Sequence, residues 1–545
     1  MLVRSALGSY NSHQGPNASA APFGTIALSL SGGGYRAAGF HLGVLDMLDR
    51  LDLLKDVAAL STVSGGTFTG MRYALCQKAG EPFSVFFEKL KSDLLSIDVP
   101  HLALAKLTGG APSIPSGRWD VITACAQVYD EKFFAGKRFD IFWDGPHIPL
   151  KELIFNSTEF HTGVAFRFQK SANVHAKIGN GNVFITAEQA RQIRLADIAA
   201  ASSCFPGGFE PLSFPDDFDW PRDDAGAAAL KELQSKEWAP LPLMDGGVYD
   251  NQGMGSLVLG AEDESRRAAF GLFIFSDTDP QQPDLYVLPK PRPLGWLRLW
   301  HLNFLWWLLL AFSLADAAVA WRFVSARWEE WSDILNLLLL VMPLGTALAL
   351  ILVRRKIAVA LCRVPKVEGS AWVFVKNLKV NQFIDMMELR ISSLFALASN
   401  VFMRRIRRLV YNSVMSDERF TGKLLPILIY NLLEAETLAP PLDWLNPSKA
   451  MCAVAKAAES IPTTLWFTGS EQLPHLIACG QITICRKLLL HILSLSGYNP
   501  ETIPPSLRSL FDKARLLFEQ LKEKPYSFVA APPPMILRPQ EISRN

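Results

Sequence analysis

The stretch Thr25-Ile26-Ala27-Leu28-Ser29-Leu30-Ser31-Gly32-Gly33-Gly34-Tyr35-Arg36 decides the fold, together with its echo at Val57 to Gly66. Thr25 to Leu30 is a short apolar run that reads as a buried strand. A glycine turn follows, and Phe40, Val44, Leu45, Leu48 and Leu51 then recur at helical spacing between Ala37 and Leu51. Val57 to Val63 reads as a second strand, stops at Ser64-Gly65-Gly66, and gives way to a helical stretch from Phe68 to Leu75. A strand, a turn and a helix, twice over, predict a parallel sheet with crossover helices. Further strands are expected over 151–157, 164–169, 182–186 and 270–276, and Leu195 to Ser203 reads as a helix or turn rich in small residues. Asp216 to Pro242 is acidic and proline-bounded, and is expected to be a surface loop. No repeat with a period of roughly 20–50 residues is evident, which argues against a solenoid.

The 545 residues exceed what one ordinary core needs. Charged residues make up 19% of the chain, below the usual ~25%, while apolar residues reach 49%. That deficit predicts apolar surface facing something other than water. A net charge of +2 gives no case for a nucleic-acid partner. The seven cysteines are scattered without a CxxC pair, so reduced buried thiols are expected rather than disulfides or a zinc site. Residues 1–22 are polar and small, read as a flexible leader, and lack the apolar core of a signal peptide.

Two apolar stretches, about 299–321 and 334–353, each approach the roughly 20 residues that cross a bilayer core. Trp296, Trp300, Trp321, Trp328 and Trp331 fall at the expected interfaces. Lys290, Arg292 and Arg298 precede the first stretch, and Arg354-Arg355-Lys356 close the second. This bias puts both outer ends, and the catalytic part, on the cytoplasmic side (the bacterial inner membrane if the source is prokaryotic). A hairpin inserted in one leaflet, or buried in a large core, is the alternative. Beyond it, Met386 to Met415 reads as one long helix. Its arginines, 404, 405, 407 and 408, read as a solvated face in preference to a headgroup-binding one. Val99 to Pro115 is a candidate lid, with an insertion loop as the alternative, and the tail from Tyr526 is expected to be flexible.

Three blocks carry chemistry. Ser64 stands between a buried strand and a helix, where a sharp turn between small neighbours pushes a hydroxyl outward. Ser31 to Arg36 offers backbone N–H groups free of side chains, suited to an oxyanion or a phosphate. The dinucleotide and Walker phosphate patterns both fail on the text. Asp245, followed by Gly246-Gly247, can project a carboxylate from a strand end and accept a serine proton.

In this order the blocks resemble the patatin-like phospholipase family. Asn156-Ser157-Thr158-Glu159-Phe160-His161-Thr162-Gly163 and Ala201-Ser202-Ser203-Cys204-Phe205-Pro206-Gly207 add to the likeness, which covers roughly Gly24 to Asp279. Thr62 and Ala37 stand where the family usually has glycine. The resemblance implies a three-layer α/β/α sandwich, here with a transmembrane helical hairpin and a helical C-terminal region. It also implies a Ser64–Asp245 dyad without metal or cofactor. His41 and His161 are left as structural histidines. Gly32, Gly33, Gly34 and Gly65 would form the oxyanion hole, and Arg36 would steady the loop or attract a substrate phosphate. The expected organisation is a catalytic domain over 23–285, a hairpin over 290–356, a helical region over 357–525 packing on the catalytic domain, and a tail over 526–545. The expected activity is hydrolysis of fatty-acyl esters of membrane phospholipids or lysophospholipids. The alternatives are a neutral-lipid esterase, an acyltransferase or a catalytically silent membrane adaptor. The sequence leaves the oligomeric state open.

Overall fold

A computed structural model describes residues 21–108, 120–173, 175–260, 268–279, 300–326, 333–362, 373–374 and 377–529. The leader up to residue 20, the tail from residue 530, residues 109–115 of the candidate lid, and Lys290, Arg292, Trp296 and Arg298 lie outside them. The chain forms two compact units: Met1–Pro283 with Val401–Asn545, and Asp284–Asn400.

The first unit is built on one mixed sheet. Its strands are β1 (Thr25–Leu30), β2 (Val57–Val63), β3 (Glu152–Glu159), β4 (Val164–Lys170), β5 (Ile178–Gly179), β6 (Phe184–Ile185), β7 (Leu212–Phe214), β8 (Leu241–Asp245), β9 (Phe270–Asp277) and β10 (Leu424–Leu428). The order is β10-β9-β1-β2-β3-β4-β5-β6, with β8 pairing β3 and β7. β10, β9, β1, β2 and β3 run parallel, while β4 and β8 are antiparallel to β3. The parallel centre is buried on both faces, which is why β1 and β2 read as continuous apolar runs. Ile26, Leu28, Leu272 and Ile274 enter one core, and Ala27, Phe273 and Phe275 enter the other. This two-residue alternation separates the layers.

The helices of this unit before the break are α1 (Gly34–Arg50), α2 (Gly65–Ala79), α3 (Phe83–Ser96), α4 (Val99–Thr108), α5 (Val121–Tyr129), α6 (Ala187–Arg191), α7 (Leu195–Ser203), α8 (Asp224–Gln234), α9 (Gly247–Asp250) and α10 (Met254–Gly260). The second unit holds α11 (Leu302–Ala326), α12 (Asp333–Cys362) and α13 (Val380–Ala396). The chain then returns to the first unit with α14 (Met403–Met415), α15 (Lys449–Glu459), α16 (Gln472–Leu495) and α17 (Pro505–Glu523). Met254 and Leu257 of α10 and Val414 of α14 cover one sheet face, and α1 and α16 pack together over the other. Glycines let α1 and α16 meet backbone to backbone: a Cβ on Gly43 would overlap the Ile477 carbonyl, and one on Gly480 would overlap that of Phe40. The three-layer α/β/α architecture is therefore present. The C-terminal region supplies an edge strand, β10, as well as helices.

Two sequence expectations change, and the described part of the candidate lid takes a definite form. The stretch from Asp216 to Pro242 is not simply a loop. It contains α8, capped by the Asp223 carboxylate on the Gly226 N–H, and it buries Phe218, Trp220 and Leu233. The expected single helix over Met386 to Met415 is α13 and α14, separated by a π-helical segment over Leu397–Phe402. Val99 to Thr108 is a helix whose Val99, Ala103 and Leu107 are buried.

In the second unit α11 and α12 form an antiparallel pair. The Ser313 hydroxyl donates to the Pro343 carbonyl at 2.6 Å, and the Trp306 indole donates to the Leu350 carbonyl at 3.3 Å. The Arg354 guanidinium lies 4.2 Å over the Trp306 ring. Phe312, Trp321 and Met342 are exposed by 64%, 60% and 74%, so this unit presents large apolar side chains outward. Two helices among the described residues are long and apolar enough to cross a membrane: Leu302–Arg322 and Gln472–Leu495. The latter, α16, is a core helix, 83% buried.

Candidate active site

Ser64 occupies the turn between β2 and α2 with φ 48° and ψ −119°, a sparsely populated conformation for a residue with a side chain. Its N–H donates to the Ser202 hydroxyl at 2.9 Å. Ser202 also bonds Thr67 at 2.9 Å, and Thr67 bonds Thr62 at 3.0 Å. Hydroxyls thus pin the strained turn from both sides. The local sequence explains the sharpness. A Cβ on Gly66 would overlap the Leu30 carbonyl, and one on Gly65 would overlap the Gly34 carbonyl, so the glycine loop lies directly on the start of α2. Thr62, standing where glycine is usual, is accommodated by Gly70: a Cβ there would come within 2.5 Å of the Thr62 methyl.

Asp245 ends β8, whose register with β3 sets it opposite Ser157. The Asp245 N–H donates to the Cys204 carbonyl at 3.1 Å, and the Gly246 N–H donates to the Ser202 carbonyl at 3.3 Å. The end of α7 therefore holds both the serine turn and the aspartate. Ser157 donates to the carbonyls of Ala201 and Met244, and Thr158 donates to that of Asp245, each at 2.8 Å. Asn156 donates to Ser61 and to the Thr62 carbonyl, each at 2.9 Å. The Asp245 carboxylate accepts the Gly247 N–H at 2.6 Å, and the nearby Ser64 hydroxyl also favours its ionised form. Only 3% of Asp245 is exposed. Burial raises its pKa from 3.8 to about 6, against the lowering effect of those two donors.

The glycine loop lies between this pair and β9. The Gly33, Gly34 and Gly65 N–H groups have no acceptor among the described residues. Gly33 (φ 140°) and Gly34 (φ 57°) take conformations that favour glycine. Gly34 opens α1 and Gly65 opens α2, so two positive helix ends meet beside Ser64. Gly32, expected as a fourth donor, is committed elsewhere: its N–H donates to the Asn251 carbonyl at 2.9 Å. Its role is space, since a Cβ there would overlap the Asn251 side chain and stand 3.2 Å from the Ser64 Cβ.

Arg36 is buried and donates to the Ile461 carbonyl at 3.1 Å, which ties the start of α1 to the C-terminal region. His41 is buried between the Ser276 hydroxyl at 2.8 Å and the Ser31 carbonyl at 3.0 Å. Burial lowers its pKa to about 4, so it is a neutral structural link. His161 is exposed, and its backbone N–H is taken by the Glu159 carboxylate. The six cysteines with described side chains are free thiols; that of Cys362 lies outside the described residues.

The blocks at 156–163 and 201–207 have no task legible in the sequence alone. Their task is to join the Ser64 turn to Asp245. Asn251, which closes the block from Met244 to Asn251, and Thr278 have no role legible in the sequence.

Residues 28–258 match the model of a family described as patatin-like phospholipase. Among curated proteins, none matches the chain. Among solved structures, the human GIVD cytosolic phospholipase A2 is similar at 13% identity and a TM-score of 0.28. That match covers 46% of this chain and 42% of the other, so the chain spans less than half of the relative's length.

Proposed function

We propose, from the premise that residues 28–258 are a patatin-like phospholipase domain, that the protein is a membrane-associated serine hydrolase of phospholipid or lysophospholipid acyl esters. The observation that carries this reading is that the end of α7 holds both Ser64, on its strained turn, and the buried Asp245.

The chemistry follows from these groups. Asp245 takes the hydroxyl proton as Ser64 Oγ attacks the ester carbonyl. Negative charge develops on the carbonyl oxygen and is met by the free N–H groups of Gly33, Gly34 and Gly65. A single such donor is typically worth ~10²–10³ in rate. Collapse breaks the ester bond, and Asp245 returns the proton to the leaving alcohol. A water molecule, deprotonated by Asp245, then attacks the acyl-serine; the acyl–oxygen bond breaks, the fatty acid leaves, and Asp245 returns the proton to Ser64 Oγ. A carboxyl with a pKa of about 6 suits both steps, because it is mostly ionised at neutral pH yet readily protonated.

The long apolar helix α11, and the exposed apolar side chains of α11 and α12, support a bilayer as the source of substrate. In this reading the pair spans the membrane, and the unit carrying Ser64 faces the cytoplasm. A tag inserted in the connection between α11 and α12 is then protected from protease added on the cytoplasmic side. Cleavage of the tag excludes spanning.

The test of activity uses detergent-solubilised full-length chain, a panel of phospholipids, lysophospholipids and neutral lipids, and mass spectrometry of the products. Wild type releases fatty acid and is labelled by a fluorophosphonate probe. Ser64→Ala and Asp245→Asn do neither at a comparable rate. Acyl transfer to an added alcohol in place of water would make the protein an acyltransferase. A folded wild type that neither labels nor turns over would make it an adaptor.

A further inference from the structure

Arg407 belongs to a helix whose four arginines read in sequence as a solvated basic face. It departs from that face. Its guanidinium bonds Asp277 at 3.2 Å and also pairs with Asp279, and its side chain is only 13% exposed. Asp277 is the last residue of β9 and is 4% exposed. Its other oxygen accepts the Gln252 side-chain amide at 2.8 Å. A buried carboxylate of this kind requires compensation, and Arg407 is the cation that supplies it.

The neighbours of Asp277 hold the glycine loop. Ser276 accepts the Ser31 N–H at 3.0 Å through its carbonyl. Thr278 donates its N–H to the Ser31 hydroxyl and its own hydroxyl to the Gly32 carbonyl, both at 3.2 Å. From the other side, Asn251, next to Gln252, accepts the Gly32 N–H at 2.9 Å. Asp277 therefore stands where two arms of the loop's support converge: the end of β9, and the turn that follows Asp245. Arg407 locks that convergence from α14, which lies outside the residues matched by the family model.

We propose that Arg407 is a positioning residue: by clamping Asp277 and Asp279 it fixes the glycine loop against Ser64 and so sets the geometry of the oxyanion site. The inference rests on the Ser64–Asp245 reading for its catalytic consequence, but not for the clamp itself.

The test uses the full-length chain in detergent with a short-chain p-nitrophenyl ester, so that bilayer binding does not enter. Arg407→Met is expected to lower kcat by about 10²-fold, in line with displaced oxyanion donors, with KM within about twofold. Arg407→Lys restores much of kcat, because it keeps the charge and loses only the fork. Hydrogen exchange of the 31–36 segment is expected to be faster in Arg407→Met than in wild type. A folded Arg407→Met with wild-type kcat and wild-type exchange overturns the proposal. If that variant does not fold, Asp279→Asn removes one arm of the clamp from a less buried position. It is expected to lower kcat by about fivefold, on the scale of one weakened polar contact, and an unchanged kcat then overturns the proposal. A wild type inert to both ester and fluorophosphonate refutes the hydrolase reading instead. The exchange comparison alone then decides the clamp.

Discussion

Replacing Asp245 with asparagine separates what the carboxylate does for chemistry from what it costs the fold. The side chain is fully enclosed, and burial lifts its pKa from 3.8 to about 6. At about 1.4 kcal/mol per pKa unit, that difference corresponds to about 3 kcal/mol. The sign follows from the direction. The folded state binds the proton more tightly than the unfolded chain does, so this group's stabilising contribution is complete below about pH 3.8 and is lost as the pH rises through about 6. Asparagine mimics the protonated acid at every pH, and its oxygen can still accept the Gly247 N–H. Asp245→Asn is therefore expected to match wild type in stability near pH 4 and to exceed it by up to about 3 kcal/mol at pH 8. On the proposed mechanism the variant also loses the general base, a loss of roughly 10²–10⁴ in kcat. Thermal unfolding in detergent from pH 4 to 8, beside ester hydrolysis, reads both effects. In wild type, kcat/KM should rise with pH through about 6. A variant with the same stability offset at all pH values, or with activity within tenfold of wild type, refutes the reasoning.

Other consequences follow from the turn and the packing. Ser64→Gly should raise the melting temperature, since glycine removes roughly 1 kcal/mol or more of backbone strain at φ 48°, while Ser64→Ala should not; both should be inactive. Gly70→Ala should destabilise by roughly 1–3 kcal/mol through overlap with the Thr62 methyl. Adding Thr62→Gly should recover much of that loss, and strictly additive effects in this double-mutant cycle would refute the compensation. Gly43→Ala should destabilise by at least about 1–3 kcal/mol, because the new methyl meets the Ile477 carbonyl. Melting temperatures check it, and a neutral substitution would mean that α1 and α16 do not touch as described.

The centre of the sheet was legible because its strands are buried on both faces and bounded by glycine. β1 and β2 end where the apolar runs end. The expected strand over 182–186 was less so: the sheet edge there consists of two-residue strands at Ile178–Gly179 and Phe184–Ile185, too short to carry a period. β10 was not legible because Leu424 to Leu428 is a short apolar run beyond the hairpin, and the family likeness ends near Asp279. In the candidate site, the residues proposed to carry the chemistry were visible as small-residue turns beside strands. The roles of their supports were not: Ser202 lies in a block that only the family likeness marks, Thr278 lies in no motif, and neither shows in sequence that the fold brings it to Ser64 or Gly32. Gly32 shows the converse: a glycine in the right motif whose N–H is already committed to Asn251. Arg407 shows that helical charge spacing cannot distinguish a solvated arginine from one that meets two aspartates across the fold.

The central claim is that Ser64 carries the acyl group, and trapping that intermediate tests it most directly. Wild-type chain is mixed with phospholipid and quenched in acid within a turnover, and its peptides are weighed by mass spectrometry. The account predicts a fatty-acyl mass on the peptide containing Ser64, absent in Ser64→Ala. Fatty-acid release with no acyl mass on that peptide, or with the mass on another residue, would contradict it.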